Sequence, residues 1–424
     1  MSLIAGRYVF ASWLENKRTS LSGVVIKGLG CLFGEKVWGM VFLSSALSTV
    51  FSPAAVYAVD WSLDANGGLS EMYNDNPRLN DSEQKSIWGH RLNVSTQLYA
   101  RSPLTELRLQ PAVTMERYAG ASDLNNDVVQ VGLDTQHQWE RAYAALSLAW
   151  QGDTTLTSEL EDTGYIQATK DRILKTVHPV LGYTWSERLE SSVYFDYLDV
   201  SYIDAQLTGL ADYYQRSLGV VMAYQWSSND SLEMELYGKR YKSPRFKYQV
   251  ATTGVQVNYE HALYRYTKLS LTLGAFQLRS DLGLPYIDYE SVDNHFLGEI
   301  FVSQQRDTLS WKAGLRRSID PSGSGLIQND RFDLTFGRRF SPFWQANFGV
   351  QYFQNETLQS ELGFDRRRYS RLSGQLVRAL TPSWRLSAQY IYQWQEYASS
   401  DHGARGNQLI VNISYDMAEK HLWP

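Results

Sequence analysis

The dominant feature of this sequence is a two-residue alternation of apolar and polar side chains. In one such segment Leu92, Val94 and Leu98 share a face, and Arg91 and Gln97 lie on the other. Alternation with a period of two is the signature of a β-strand with one apolar and one polar face. About eighteen such segments follow residue 58, each near the length that a tilted strand needs to cross a bilayer. The pattern predicts an all-β fold for this part of the chain.

The connections between these segments alternate between short turns and longer polar loops. The short turns fall at 101–105, 139–141, 186–188, 227–230, 305–308, 341–343 and 380–383. The longer loops fall near 75–84, 119–126, 153–171, 281–294, 320–329, 355–365 and 399–406. Short turns on one side and long loops on the other are typical of outer-membrane barrels. We therefore predict a transmembrane, antiparallel, up-and-down β-barrel of about eighteen strands with both termini in the periplasm of a bacterium.

Aromatic residues support a membrane location for this barrel. The chain contains 28 Tyr and 13 Trp, and such amphipathic rings concentrate at bilayer interfaces. A soluble β-sandwich or propeller also has regular strands, but it has no reason to place Trp beside alternate turns. The residues that flank the short turns predict an aromatic girdle, and they are Trp139, Trp185, Trp226, Phe340, Trp344 and Trp384.

Residues 1–58 are predicted to be a signal peptide, and residues 59–424 the mature barrel. Lys36 precedes a short apolar run, and small residues lead to a cleavage site after Ala58. The stretch before Lys36 is long for a signal, so either the signal is extended or the true start lies downstream. An uncleaved N-terminal anchor is the alternative. The single cysteine, Cys31, lies in this region, so we expect no disulfide, thiolate metal site or Cys nucleophile in the mature protein.

The polar faces of the strands are predicted to line the lumen. Barrels of roughly sixteen to eighteen strands leave room for an aqueous channel. The alternative for any single residue is that it only solvates a wide pore and pairs across strands. The pore-lining candidates are Arg91, Arg108, Glu116, Asp134, Asp196, Glu233, Glu235, Glu299, Lys312, Arg316, Arg331, Asp333 and Arg371.

A run of basic residues is the strongest charge cluster in the sequence. Arg366, Arg367 and Arg368 are consecutive, and Arg371 follows. Such a cluster would attract an anionic polymer at the outer mouth of the barrel. The alternative is that it pairs with lipopolysaccharide phosphates or with neighbouring acids.

Two smaller groups of residues have the chemistry of binding sites. Glu233 and Glu235 share a face and would suit a divalent ion, but no further ligands follow at a suitable spacing, so no metal site is predicted. Tyr194, Tyr214 and Tyr237 form a candidate stacking track for sugars. The alternative for these tyrosines is ordinary girdle or core placement.

The sequence also limits the classes of function. The formal net charge of -5 is small and mixed in sign, so we expect no nucleic-acid partner. No Ser/His/Asp grouping has a local signature, so neither an enzyme nor a cofactor is predicted, although a hydrolase assembled across strands stays an alternative. The loop at 153–171 is long enough to fold inward as a constriction.

Several short motifs occur in a defined order along the chain. Residues 310–325 carry an "R-S…P-S-G-S-G" segment, and residues 68–76 carry a "Y-x-D-N" near the first predicted strand. The remaining motifs lie at 338–342, 368–369, 379–384, 390–393 and 407. In this order the motifs resemble a barrel family encoded in bacterial exopolysaccharide and exosortase (PEP-CTERM-associated) loci, and the resemblance spans most of the mature chain.

This resemblance implies an outer-membrane channel that exports a polysaccharide, working with a periplasmic polysaccharide export protein. It implies no catalytic residues. The expected partners are outer-membrane lipid and lipopolysaccharide, the exported glycan and the periplasmic protein. Two other functions stay open at this point. One is a general or sugar-selective diffusion porin, and the other is a non-conducting structural component of a matrix assembly complex.

Overall fold

The computed structural model describes residues 59–81, 84–155, 169–204, 210–284, 287–358, 366–398 and 403–423. The predicted signal peptide lies outside these ranges and stays a prediction. The strands are β1 (Asp60–Asn74), β2 (Ile87–Arg101), β3 (Thr105–Tyr118), β4 (Asn126–Gln138), β5 (Ala142–Thr154), β6 (Asp171–Ser186), β7 (Leu189–Tyr202), β8 (Tyr213–Gln225), β9 (Asp230–Ser243), β10 (Tyr248–Tyr264), β11 (Thr267–Leu284), β12 (Ile287–Gln305), β13 (Leu309–Ser322), β14 (Gly325–Arg339), β15 (Trp344–Thr357), β16 (Arg367–Ala379), β17 (Trp384–Tyr397) and β18 (Ala404–Trp423).

These strands form one closed sheet. Each strand pairs antiparallel with its neighbours in the chain, and β1 pairs with both β2 and β18. The described part of the chain is therefore an 18-stranded antiparallel β-barrel, which confirms the predicted fold class. A short 3-10 helix, Ser122–Leu124, lies between β3 and β4. No helix in the described ranges is long and apolar enough to span a membrane.

The alternation in the sequence separates the two faces of the barrel wall. Residues paired across antiparallel strands project to the same side of a sheet. Leu69 pairs with Leu92 on the outer face, and Ser70 pairs with Arg91 on the inner face. Large apolar side chains lie on the outside, where Phe296 is 67% and Trp226 is 68% exposed. An apolar exterior around a polar interior is the arrangement of a membrane-spanning barrel.

Hydroxyl side chains close several of the short turns at one end of the barrel, which we call the short-turn end. Ser102 Oγ accepts a hydrogen bond from the backbone N–H of Thr105 at 3.0 Å, and Thr381 Oγ1 accepts one from Trp384 at 3.0 Å. A Ser or Thr side chain that bonds the backbone two or three residues on stabilises a tight turn. The hydroxyls that accept such bonds are those of Ser102, Ser186, Ser227, Ser341 and Thr381.

Two of the predicted long loops are wrong. The segment 281–294 belongs to β11 and β12, which stay paired as far as Leu284 and Ile287. The segment 320–329 belongs to β13 and β14, which stay paired as far as Ser322 and Gly325. At the opposite end of the barrel, which we call the loop end, strands extend beyond the apolar band of the wall. Asp, Ser, Gly and Asn are frequent in both segments, and such a composition does not distinguish an extended strand from a loop. The connections at 203–212 and 244–247 were not predicted.

The wall opens between β12 and β13 near the loop end. Their pairing runs only from Gly298 and Arg317 to Gln305 and Ser310. From this point toward the loop end, β13 stays paired with β14 but is no longer paired with β12. On its other side β14 stays paired with β15 as far as Ile327 and Thr357. The tip of the β13–β14 hairpin beyond this point leaves the wall and contacts the barrel interior, as described below.

Candidate functional site in the barrel lumen

The residues predicted to line a pore all lie on the inner face of the barrel. Their cross-strand partners establish this placement, because paired residues share a face. Contact between any one of them and a permeating solute stays a prediction. Residues of this set that are paired directly, or through one intervening strand, are Arg91 with Glu116, Arg108 with Asp134, Glu299 with Arg316 and Arg331, and Asp333 with Arg371. The others are Asp196, Glu233, Glu235 and Lys312.

Charges on the inner face of β2, β3 and β4 are matched by neighbours. Arg91 Nε lies 2.6 Å from Glu116 Oε1, and Arg108 Nη2 lies 2.9 Å from Asp134 Oδ2. Gln110 Nε2 donates to the same Asp134 oxygen at 2.9 Å. This part of the lumen therefore presents paired charges and amides to a solute.

The inner face of β12, β13 and β14 also carries charges of both signs. Arg316 lies between Glu299 on β12 and Arg331 on β14 in one cross-strand row. Arg331 Nε donates to Asp333 Oδ2 at 2.7 Å, and Lys312 Nζ lies 4.0 Å from the ring centroid of Phe301. This wall therefore also presents both cations and carboxylates to a solute.

Aromatic residues and glycines alternate in one cross-strand row on the inner face of β7–β12. We call this set the aromatic row, and its members are Tyr194, Gly219, Tyr237, Gly254, Phe276 and His295. A Cβ at Gly219 would overlap the ring of Tyr194, and one at Gly254 would approach Tyr237 to 2.6 Å. Glycine in a strand marks a place where another group approaches the backbone closely. Here that group is an aromatic ring lying across the neighbouring strand.

The accessible end of the aromatic row carries polar groups beside its ring. The hydroxyl of Tyr194 donates to the carboxylate of Glu235, and Gln256 donates to the same carboxylate. Tyr143 repeats the arrangement nearby, because it lies opposite Gly182 and its hydroxyl donates to Glu190 Oε1 at 2.9 Å. A flat ring held beside a carboxylate therefore occurs twice on this wall.

The tip of the β13–β14 hairpin reaches across the lumen to β8 and β9. Tyr241 Oη donates to the backbone oxygen of Ser322 at 2.8 Å, and Tyr213 Oη donates to that of Pro321 at 3.3 Å. The backbone N–H of Ala211 donates to the oxygen of Gly323 at 2.9 Å. Because β10, β11 and β12 lie between β9 and β13 in the wall, these bonds span the barrel interior.

This hairpin covers part of the aromatic row. Leu326 of β14 packs in one buried cluster with Tyr237, Phe276 and Tyr241. Tyr237 and Phe276 are only 5% and 6% exposed. Tyr194 lies outside the buried cluster. The hairpin therefore encloses Tyr237 and Phe276 and leaves Tyr194, at one end of the row, outside the buried cluster.

The β1–β2 loop folds against the opposite wall at the same end. Leu79 is buried with Phe353 and Tyr369, and its backbone oxygen accepts a hydrogen bond from Gln395 Nε2 at 2.7 Å. The guanidinium of Arg367 stacks on the same ring pair, 4.9 Å from the Tyr369 centroid. Two inward segments, this loop and the β13–β14 hairpin, thus narrow the loop end of the lumen.

The basic run at 366–368 is not one cluster. Arg367 is buried on the inner face, whereas Arg368 projects outward and lies 3.7 Å from Glu396. Arg366 lies 3.4 Å from Glu356. Successive strand residues project to opposite faces, so the run does not form one cationic patch. Arg366 and Arg368 instead pair with neighbouring acids, as the alternative interpretation of this run expects.

Of two other sequence hypotheses, one changes and one stays a prediction. Tyr214 projects to the outer face, where it pairs with Lys242 of β9, so it cannot share a track with Tyr194. Most of the loop at 153–171, predicted as a constriction, lies outside the described residues. No group of three or more potential metal ligands occurs in the described ranges. The glycines of the aromatic row were missed, although glycine inside a strand is a signal of close approach.

The predicted girdle residues lie on the outer face beside the short turns. Trp139, Trp185 and Phe340 are each at least half exposed. Amphipathic rings at one height on an apolar wall mark a membrane–water interface. A closed antiparallel barrel with this exterior is the architecture of outer-membrane proteins. The protein is therefore an integral protein of the bacterial outer membrane.

Comparison with protein-family models returned no match, and comparison with curated protein sequences returned none. Among solved structures, the FrpB iron transporter from Neisseria meningitidis is 8% identical, with a TM-score of 0.44 over 88% of this chain and 83% of that one. OpdK of Pseudomonas aeruginosa, solved with vanillate, is 11% identical, with a TM-score of 0.47 over 84% and 99%. OccAB4 of Acinetobacter baumannii is 11% identical, with a TM-score of 0.44 over 86% and 100%. At these identities the likeness concerns the fold alone.

Proposed function

We propose that this chain is a passive outer-membrane channel for carbohydrate. The observation that carries the proposal is the open end of the aromatic row, where the ring of Tyr194 lies across Gly219. Beside this ring stand the carboxylate of Glu235 and the amide of Gln256. The site is on the inner wall of a barrel of the size that encloses an aqueous channel.

The chemistry of this wall suits a sugar ring. A sugar has faces of C–H groups that pack on an aromatic face, and its edge carries hydroxyls that donate and accept hydrogen bonds. Glu235 accepts hydrogen bonds, and Gln256 both donates and accepts them. Elsewhere in the lumen, oppositely charged side chains such as Arg91 and Glu116 neutralise each other. They offer further hydrogen-bonding groups to a sugar.

Single-channel recording in planar bilayers tests the proposal. We expect wild-type protein to conduct and maltooligosaccharides to block the current reversibly. Tyr194→Ala should weaken this block by roughly three- to tenfold, because an aromatic contact contributes about 0.5–1.5 kcal/mol beyond its buried area. Tyr99→Ala is the matched control, since Tyr99 is an inward tyrosine of β2 outside the aromatic row.

Two results would overturn the proposal. If every sugar blocked the current of wild type and of Tyr194→Ala equally, Tyr194 would not bind sugar. The protein would then be interpreted as a general diffusion porin. Absence of conductance in correctly folded, heat-modifiable protein would remove both channel functions. The latter result would favour a structural role in the membrane.

Export of a polysaccharide is a second proposal, supported by the position of one motif. Residues 310–325, which resemble the family of exopolysaccharide loci, form β13 and the hairpin tip that reaches into the lumen. In this proposal a periplasmic export protein delivers the polymer to the barrel. Deletion of the gene should then abolish secreted polysaccharide, and secretion at the normal level would exclude export.

A further inference from the structure

The outer face of the barrel carries two opposed arginines just above the apolar band. Arg216 of β8 and Arg240 of β9 are directly paired across the strands. Both side chains are exposed. Like charges placed directly opposite each other on a sheet are destabilising. An anion bound between the two guanidinium groups would remove this repulsion.

No protein carboxylate supplies that anion within the described ranges. Asp199, on the neighbouring strand β7, lies 3.8 Å from Lys175 Nζ. Asp212 accepts a hydrogen bond from the backbone N–H of Tyr202 at 2.8 Å. Neither Arg216 nor Arg240 forms an ion pair in the described part of the chain. By contrast, Arg279 on the same outer surface has Glu290 at 3.5 Å.

Further groups around the arginine pair complete a cationic, amphipathic surface. Lys242 is the next outward residue of β9 and pairs with Tyr214 of β8. The guanidinium of Arg216 lies 5.3 Å from the ring centroid of Tyr214 and 5.8 Å from that of Tyr197. Arginine and lysine near tyrosine rings are typical of the polar boundary of a bilayer.

The lipid-facing position of this surface identifies the anion. Leu218 and Leu236, the outward residues nearer the short-turn end on the same strands, are 57% and 53% exposed. Gly238 lies between Leu236 and Arg240, and a Cβ there would meet only a backbone oxygen at 4.0 Å. A ligand bound at the arginines therefore lies next to the apolar wall on the side of the short-turn end. The missing side chain at Gly238 leaves space for it. An amphiphile with a phosphorylated head and acyl chains fits this arrangement.

We propose that Arg216, Arg240 and Lys242 bind the phosphate groups of a phosphorylated glycolipid in the outer leaflet. The predicted orientation, with the loop end facing outward, places the surface in that leaflet. Guanidinium groups bind phosphate through paired, charge-assisted hydrogen bonds. The bound lipid replaces repulsion between the two arginines with two attractive contacts.

Native mass spectrometry of the detergent-purified protein tests this site. Wild-type protein should bind bis-phosphorylated lipid A. The Arg216→Gln/Arg240→Gln variant should bind it at least about tenfold more weakly, because it loses at least one charge-assisted contact with phosphate. The matched control is Arg338→Gln/Arg378→Gln, which removes two outward arginines that lie over Phe340 and Trp344 near the short-turn end. This control should bind as wild type does. Equal binding by the double variant, or equal binding of dephosphorylated lipid A by wild type, would overturn the proposal.

Thermal unfolding provides a second measurement. In lipid-free detergent the Arg216→Gln/Arg240→Gln variant should unfold at the wild-type temperature or above it, because repulsion has been removed. Addition of lipid A should raise the unfolding temperature of wild type and leave that of the variant unchanged. A lipid-free variant less stable than wild type would assign the arginines a structural role instead. If inorganic phosphate raised the unfolding temperature of wild type as much as lipid A does, the ligand of this site would be free phosphate and not a lipid.

Discussion

Asp153 and Arg172 form a buried ion pair on the inner face between β5 and β6. Arg172 donates two hydrogen bonds to the carboxylate, at 2.9 Å and 2.8 Å, and the Asp153 and Arg172 side chains are 1% and 9% exposed. Removing one member of a buried pair leaves the other charge uncompensated, which costs about 3–5 kcal/mol. We expect Asp153→Ala to lower the free energy of unfolding by that amount, measured by guanidinium denaturation in detergent.

The exposed pair of Arg117 and Asp127 is the control for this prediction. Its guanidinium–carboxylate distance is 2.6 Å, but both side chains are more than a third exposed. Exposed pairs contribute about 0–1 kcal/mol, so Asp127→Ala should change stability little. A similar loss in both variants would show that burial does not set the strength of the Asp153 pair.

Gly219 supports the open end of the aromatic row. Because a Cβ at this position overlaps the ring of Tyr194, we expect Gly219→Ala to lower the free energy of unfolding by about 1–3 kcal/mol, the usual loss on overpacking. A Cβ added at Gly374 would have no atom within 4 Å, so Gly374→Ala should leave the free energy of unfolding unchanged. Denaturant midpoints measured in the same detergent compare the two variants, and equal midpoints would contradict the packing argument.

At the scale of single residues, the sequence predicts which face of the wall a side chain occupies. Arg91, Glu233 and the other pore-lining candidates follow from alternation alone, because one apolar residue on a strand determines the face of every neighbour. The partner across the strand does not follow, since it depends on register between two segments. The Tyr194–Gly219 contact is such a case, and so is the outward position of Tyr214.

The β13–β14 hairpin is held inward by two tyrosine hydroxyls. Tyr213 and Tyr241 donate to the backbone oxygens of Pro321 and Ser322. Each hydrogen bond contributes about 1 kcal/mol, so we expect Tyr213→Phe/Tyr241→Phe to raise the undocked population by roughly fivefold per bond lost. Single-channel recordings should then show a more frequent high-conductance state.

Tyr390→Phe is the matched control for the hairpin variant. Its hydroxyl also donates a hydrogen bond, to Asn407 Oδ1 at 2.6 Å, but it lies on the outer face of β17 and 50% of the residue is exposed. This control should leave the conductance states unchanged. Unaltered conductance states in the hairpin variant would mean that the backbone hydrogen bond from Ala211 to Gly323 and the apolar packing around Leu326 are enough to hold the hairpin.

The hairpin also shows where prediction of elements from sequence ends. The segment 320–329 contains Pro, Gly, Ser and Asn, the composition of a loop, and yet it forms two paired strands and a tight turn. Its inward path depends on the early separation of β13 from β12 and on tyrosines of distant strands. Neither is encoded in the local pattern of the segment.

For the whole molecule, the orientation in the membrane is the prediction to test. With both termini in the periplasm, the short turns face inward and the loops face the exterior. Cys31 is the only cysteine of the sequence, so unsubstituted protein is the labelling blank for single cysteines introduced at the two ends. We expect a membrane-impermeant maleimide to label Ser122→Cys on whole cells, and to label Asp307→Cys only after the outer membrane is permeabilised. The reverse labelling pattern would show that the loop end faces the periplasm.

The whole-molecule architecture was largely predictable, because a closed barrel repeats one simple rule. Alternation, turn spacing and aromatic placement each recur along the chain, so errors at 281–294 and 320–329 did not change the strand order. The contents of the lumen were not predictable, because they arise from segments such as Leu79 and Ser322 that leave the repeating pattern.

The seam between β1 and β18 has a consequence for how the barrel assembles. Every other strand pairs with a neighbour reached through a single turn or loop, so a growing sheet can add strands one at a time. At the seam Ser70 bonds Asn412 and Asp75 bonds Asn407, residues 342 and 332 positions apart. Contacts so distant in sequence carry the largest loop-closure entropy and form slowly. Until they form, both edges of an open sheet offer unpaired backbone to any neighbouring chain, so assembly of this protein depends on keeping those edges apart from other strands until the seam is sealed.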